Sequence, residues 1–136
     1  MKTATIVKLG LTDPRRLFVI DGIGALVSVV MLGVVLVRYQ HLVGIPTTTL
    51  YVLAALPILF ALYDVYSYRS SERAGHHLQT IATINILYCC LSVGLAWWHY
   101  DTVTSWGWAY IIVEVLVVLA LAVQERRVGR SLQGVA

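Results

Sequence analysis

Apolar residues dominate four long stretches of the chain, and short polar segments separate them. The stretches are Leu17–Val37, Thr48–Tyr68, Leu78–Trp98 and Ser105–Val123. Each is close to the ~20 residues that an α-helix needs to cross a hydrocarbon layer of ~30 Å. The strands of a membrane β-barrel alternate apolar and polar residues over ~10 positions, and these stretches do not. The pattern therefore predicts an all-α integral membrane protein with four transmembrane helices.

The polar segments between the stretches are short and contain residues that start helices. Asp13 precedes Pro14, which fits an N-cap followed by proline at the first helical position. Pro46 and the threonines after it are placed in the same way before the second stretch. Because short connections join antiparallel neighbours, we expect an up-down-up-down four-helix bundle. The whole chain, residues 1–136, is predicted to form a single transmembrane domain.

The composition supports a membrane location and argues against a nucleic-acid-binding protein. Apolar residues make up 59% of the chain and charged residues 12%, which is about half the charged share of a soluble domain. The net charge of +3 forms no basic stripe with interleaved aromatic residues, so we expect no nucleic-acid partner. The basic residues instead flank the apolar stretches, which indicates the lipid bilayer as the partner.

The positions of lysine and arginine predict the orientation of the helices. One side of the membrane receives nine of the ten basic residues: Lys2, Lys8, Arg15, Arg16, Arg69, Arg73, Arg126, Arg127 and Arg130. The other side receives Arg38 alone. Since cytoplasmic segments carry an excess of positive charge, both termini are predicted to lie in the cytoplasm. The tryptophans fall at the opposite side, where they form an interfacial belt or line an outward-facing aromatic site.

Asp21 and Asp64 are carboxyl groups inside the apolar stretches, where an ionised side chain at mid-membrane costs ~2.5–3.5 kcal/mol and is a functional candidate by default. Each lies five residues inside an arginine at the membrane edge, on neighbouring antiparallel helices. We therefore expect the two to face each other as a cation or proton site. In the alternative, they pair with basic and hydroxyl groups at the membrane edge. Those groups are Arg15, Arg16, Arg69, Tyr66 and Tyr68.

The helix faces around these two carboxyl groups carry further expectations. Asp21 shares its face with Gly24, Ala25 and Ser28, a stripe of small residues that favours the close approach of another helix. Pro57 lies in the same stretch as Asp64 and lacks an N–H group, so it is expected to kink that helix.

Glu114 is the third intramembrane carboxyl group, about 18 Å inside the fourth helix if counted from Arg126 at 1.5 Å per residue. Tyr110, one turn earlier, is its polar neighbour on the same helix. Asn85 is the predicted partner from another helix, on a face that it shares with Tyr88. Either Glu114 takes part in the function, or it is a neutral side chain that donates one hydrogen bond between helices.

His41 and His99 form a weaker pair of candidate ligands at the end that lies opposite the termini. Two histidines on different helices can bind haem or a metal, but no motif fixes their spacing, and we expect no metal site. Cys89 and Cys90 are adjacent, which does not suit a disulfide and matches no zinc or redox motif. No phosphate-binding loop or nucleophile elbow occurs, so no enzyme class is indicated and the cofactor is unknown.

Three segments resemble a group of small bacterial four-span membrane proteins that have no known activity. The segments are Leu17–Gly24, Pro57–Asp64 and Asn85–Cys90. The resemblance covers nearly the whole chain. It implies four helices and a multi-pass protein of the bacterial cytoplasmic (inner) membrane, but it implies no activity.

Three functions stay open at this point. The intramembrane carboxyl groups favour a small transporter or a proton- or cation-coupled permeation unit, and four helices are expected to need a homo-oligomer to form a pathway. A membrane-embedded enzyme, or a protein that binds lipid, quinone or haem, is the first alternative, since Asp21 and Asp64 lie near headgroup depth beside arginines. The second is an accessory subunit whose polar groups only fix helix packing.

Overall fold

Four long antiparallel helices form the molecule, and the computed structural model describes them over residues 13–70 and 73–134. The spans are Pro14–Arg38, Thr47–Arg69, Ala74–Trp98 and Ser105–Gly134, numbered one to four in chain order. Each is long and apolar enough to cross a membrane, and the described residues contain no strand. The prediction of an all-α, four-helix membrane protein is confirmed.

The helices extend beyond the predicted apolar stretches at the end that carries the chain termini. Span one begins at Pro14, and the side chain of Asp13 caps it by accepting a hydrogen bond from the Arg15 N–H at 3.0 Å. Span three begins at Ala74, and span four continues to Gly134 instead of ending at Val123. Glutamine, glutamate and arginine are good helix formers, so the polar residues after Val123 prolong the helix and do not end it.

Span one is not a uniform α-helix. Its α-helical part ends at Val30, a π-helical segment covers Met31–Val35, and Leu36–Arg38 returns to α geometry. A wider π turn inside a membrane helix is uncommon and is often found beside functional sites. Here its first residue, Met31, lines the cavity described below.

The first and third connections lie at the end of the bundle opposite the chain termini; we call them the outer connections for that position alone, and they are tied to each other. A short helix, Gln40–Val43, follows span one and ends at Gly44, whose φ of 74° is left-handed. A Cβ atom at this position would lie 1.8 Å from the carbonyl oxygen of Thr102, so only glycine fits. The N–H of Thr104 donates to the Val43 carbonyl at 3.0 Å, and the Thr104 hydroxyl donates to the Leu42 carbonyl. The first and third connections therefore hold the two halves of the chain together at this end.

The helices pack as two hairpins. Spans one and two lie against each other along their length, as do spans three and four, whereas span one meets span four at few points. One apolar core joins the hairpins near the outer connections, with Leu36, Ile45, Leu50 and Ile111 among its buried members. A smaller core at the opposite end contains Leu17, Phe18, Leu78, Ile81 and Val128.

The outer surface is suited to hydrocarbon. Large apolar side chains on every span are more than half exposed, among them Ile23, Leu59, Leu87 and Leu116. We call the two ends of the bundle by their side chains. The basic end carries Arg15, Arg16, Arg69, Arg73 and Arg126, and the tryptophan end carries the exposed Trp97, Trp98 and Trp106. Lys2 and Lys8 lie outside the described residues. Which end faces the cytoplasm stays a prediction.

Candidate functional site

A cluster of four polar side chains lies inside the bundle, and each span contributes one of them. We call Asp21, Asp64, Asn85 and Glu125 the polar tetrad. All four are nearly inaccessible, with exposed fractions of 5%, 2%, 5% and 0%. Burying polar groups in an apolar interior is unfavourable unless they find partners, so four of them at one place mark a specialised region.

Asn85 connects the tetrad across three helices. One N–H of its amide donates to Oδ1 of Asp21 at 2.8 Å, and the amide also donates to Oε1 of Glu125 at 3.0 Å. A side-chain amide has two hydrogens to donate, so both are in use. Span three is thereby bonded to span one and to span four at the same level of the membrane.

Asp64 is the fourth member of the tetrad, and no described group donates a hydrogen bond to it. Its carboxyl group lies close to that of Asp21, as expected for this pair, and beside Gly22, where a Cβ atom would be 3.5 Å from the Asp64 Cβ. Neither carboxyl oxygen of Asp64 has a hydrogen-bond partner. Two facing carboxylates contain only acceptors, and a proton on one of them turns the contact into an O–H···O hydrogen bond.

Arginine does not neutralise the tetrad. Arg126 follows Glu125 directly, but its guanidinium donates to the Thr83 hydroxyl at 3.1 Å and to Gln79 at 3.4 Å on the outside of span three. Arg15 lies over the ring of Tyr68 at 5.4 Å. The alternative is an ion pair between Asp21 or Asp64 and an arginine at the membrane edge. No such ion pair is present among the described residues.

Glu114 belongs to a second polar cluster, nearer the tryptophan end. The hydroxyl of Tyr88 donates to Oε1 at 2.9 Å, and that of Tyr110 donates to Oε2 at 2.6 Å. The expected neighbour Tyr110 is thus a partner, but the expected partner Asn85 is not. Tyr88 lies one turn further along span three than Asn85 and takes that place, because the Asn85 amide is already engaged in the tetrad.

A cavity of about 280 Å³ connects the two clusters. It lies between the hairpins, with Asp21 and Asn85 toward the basic end and Tyr88, Tyr110 and Glu114 toward the tryptophan end. Most of its remaining wall is apolar. Three of its lining residues, Val27, Val113 and Val117, are also more than half exposed on the outer surface. The cavity therefore opens sideways between spans one and four, at a level where the surroundings are hydrocarbon.

The small residues of span one line this cavity. Gly24, Ala25 and Ser28 face it, and a Cβ atom at Gly24 would meet nothing within 4 Å. The expectation that this stripe lets another helix approach closely is wrong at Gly24, because span four stays apart here. Pro57 borders the cavity from span two, which continues as a helix from Thr47 to Arg69 through the proline.

The histidine candidates do not form a ligand pair in the described part of the chain. His99 Nε2 is hydrogen bonded with the Thr49 hydroxyl at 3.3 Å, and His41 is exposed in the short helix after span one. Across residues 13–70 and 73–134, no three His, Cys, Asp or Glu side chains are arranged to hold a metal ion. Cys89 and Cys90 are free thiols, the first buried and the second exposed.

Comparison with known proteins gives no family for this chain. It matches no protein-family model, no curated protein and no solved structure. The resemblance to small bacterial four-span proteins therefore stays a prediction.

Glu125 is the site residue that the sequence analysis did not single out. It lies beside Arg126 and Arg127 in a run of polar residues, a pattern that is typical of a solvent-exposed segment. Its distance along the chain from Glu114 does indicate that it faces inward. Glu125 follows Glu114 by eleven residues, close to three turns of 3.6 residues, so both carboxyl groups lie on the same inward face of span four.

Proposed function

We propose that this protein is a proton-coupled transporter of the bacterial cytoplasmic membrane, with the polar tetrad as its proton-binding site. The observation that carries the proposal is the composition of the tetrad: it has three buried carboxyl groups and one neutral donor, the Asn85 amide, which serves only Asp21 and Glu125. Three negative charges side by side in an apolar interior repel one another and lose their hydration. The group therefore binds protons, and a cation that takes their place can release them.

A proton fits the tetrad better than a metal ion. Metal ions demand several ligands at fixed distances, and the carboxyl groups of the described residues do not offer such a set. A proton requires only two acceptors in contact, which Asp21 and Asp64 supply. The cavity then gives the tetrad a route to a second, transported species, because Asp21 lines it.

Orientation and assembly form part of the same proposal. The basic end faces the cytoplasm, since positive side chains are retained on that side. The transporter works as a homo-oligomer, because four helices alone provide little wall for a pathway across the bilayer.

The test is proton movement in liposomes that contain the purified protein and a pH-sensitive dye. A pH difference is imposed, and inorganic and organic cations are added outside one at a time. We expect at least one cation to drive proton movement by the wild type, and Asp64→Asn and Asp21→Asn to reduce it to the level of protein-free liposomes. Asp101→Asn is the matched control, since it makes the same chemical change at an exposed carboxyl group between spans.

Two results overturn the proposal. One is proton movement that never exceeds that of protein-free liposomes with any cation. The other is equal movement in Asp64→Asn, Asp21→Asn and Asp101→Asn. If the tetrad variants alter only the thermal unfolding of the detergent-solubilised protein, the polar groups fix helix packing, and the role of an accessory subunit replaces that of a transporter.

A further inference from the structure

We propose that the cavity between spans one and four binds a lipophilic organic cation of the quaternary ammonium type, which enters sideways from the bilayer. This inference rests on the proposed function in one respect, because it names the class of molecule that would exchange with protons. The binding site itself depends only on the shape and lining of the cavity.

The position of the opening selects an apolar ligand. Val27 on span one and Val113 and Val117 on span four border both the cavity and the outer surface. A molecule at that level of the membrane is dissolved among lipid chains. Only a ligand with a substantial apolar body reaches the opening, and small hydrated ions do not.

The charges of the wall select a cation. Asp21 lies toward one end of the cavity and Glu114 toward the other, and none of the arginines or histidines in the described part of the chain lines it. An anion placed there would meet two acidic groups without a counter-charge, whereas a cation offsets them. The two carboxyl groups belong to different clusters, so they do not form a compact ligand set for a metal ion.

The aromatic rings of the wall select a cation that has no N–H group. Phe60, Tyr88 and Tyr110 line the cavity, and the ring of Phe60 meets that of Tyr88 edge to face at 5.7 Å between centroids. Aromatic faces attract quaternary ammonium groups through the ring quadrupole, without hydrogen bonds. Both tyrosine hydroxyls donate their hydrogen bonds to Glu114, so a cation in the cavity would interact with the aromatic rings themselves.

The volume sets the size of the ligand. About 280 Å³ is near the lower limit of ~300–1,000 Å³ for small-molecule sites. It holds an ammonium head with one aromatic ring, and any longer chain passes through the opening into the lipid.

The experiment measures binding of benzyltrimethylammonium to the protein in a non-ionic detergent by titration calorimetry. Neopentylbenzene, in which carbon replaces the charged nitrogen, is titrated in parallel, with protein-free micelles as the blank for both. We expect the cation to bind at least about tenfold more tightly than its neutral analogue. Titration in a weakly buffered solution is expected to release protons as the cation binds.

Two pairs of variants locate the site. Gly24→Leu fills the cavity from span one, while Gly94→Leu adds the same side chain at an exposed glycine whose Cβ position is equally free. Glu114→Gln replaces one carboxyl group of the wall by an amide, and Asp101→Asn makes the same kind of change at an exposed position. We expect Gly24→Leu and Glu114→Gln to weaken binding about tenfold or more and the two control variants to leave it unchanged.

The outcomes separate this inference from the proposed function. Absence of cation binding, equal binding of the neutral analogue, or full binding by Gly24→Leu overturns the inference, and proton movement driven by another cation would leave the transporter standing. Binding with the expected variant pattern supports the inference even if no proton movement occurs in liposomes. In that case proton-coupled transport is wrong, but the cation-binding site in the cavity is supported.

Discussion

Asn85 supplies the only N–H groups among the four side chains of the polar tetrad. Its two amide hydrogens serve Asp21 and Glu125, and nothing remains for Asp64. At the scale of single residues, the tetrad thus has more acceptors than donors. A proton shared between Asp21 and Asp64 is the simplest way to balance them.

Replacing Asn85 by leucine tests the contribution of this donor. Asn85→Leu removes two hydrogen bonds between helices, each worth ~0.6–1.7 kcal/mol in a membrane protein, so we expect a loss of about 1–3 kcal/mol in the free energy of unfolding. Thr80→Val is the control on the same span, because the Thr80 hydroxyl bonds only to the His76 carbonyl of its own helix. Unfolding is followed by circular dichroism in mixed micelles. Equal stability of the two variants would contradict the role assigned to Asn85.

The candidate site could be predicted in part from the sequence. The facing of Asp21 and Asp64 follows from their equal depth on antiparallel neighbours, and the Tyr110–Glu114 contact follows from helical spacing. The partners of Asn85 and Glu114 across helices could not be predicted in the same way. They depend on how far each helix is rotated and shifted along its neighbour, which the packing of all four spans decides.

At the scale of helices and connections, the sequence predicted the existence of each span better than its ends. The length of an apolar stretch indicates which residues lie in the hydrocarbon layer. The helix itself continues as long as its residues have a high helix propensity. Span four shows the difference, since it runs past Val123 to Gly134. The site depends on this extension, because Glu125 lies in it.

Gly44, in the first connection, is a position where a substitution is expected to lower stability. Gly44→Ala places a side chain at a left-handed residue, which costs ~1–2 kcal/mol, and the new Cβ atom would also collide with the Thr102 carbonyl oxygen. We expect a loss of at least about 2 kcal/mol in the free energy of unfolding.

Gly94→Ala is the matched control for this substitution. Its Cβ atom would meet nothing within 4 Å on an ordinary helix, where alanine is favoured over glycine by ~0.5–1 kcal/mol. Thermal unfolding in detergent gives both values. If Gly44→Ala is as stable as Gly94→Ala, the outer connections do not hold the hairpins together as described.

At the scale of the whole molecule, the two hairpins are joined by an apolar core at each end and leave the cavity between spans one and four. Seven described arginines lie at the basic end: Arg15, Arg16, Arg69, Arg73, Arg126, Arg127 and Arg130. Arg38 alone lies near the other end. This asymmetry predicts the direction in which the bundle inserts.

Reporter fusions in a bacterial host test the insertion. Alkaline phosphatase is active only outside the cytoplasm, and green fluorescent protein exported by the general secretion route fluoresces only inside. We expect a C-terminal fusion to fluoresce with green fluorescent protein and to be inactive with alkaline phosphatase. Alkaline phosphatase inserted after Asp101, in the third connection, is expected to be active. The opposite pattern would place the basic end outside.

A charge that moved between the two carboxyl groups on the inner face of span four would respond to the membrane potential. Glu114 and Glu125 are eleven residues apart, or about 16 Å along the helix axis, which is roughly half of a ~30 Å hydrocarbon layer. A monovalent charge that passes from one to the other crosses about half of the membrane potential, which amounts to roughly 1.2 kcal/mol at 100 mV. An energised membrane would therefore change its distribution between these two carboxyl groups about eightfold, without any change in the protein.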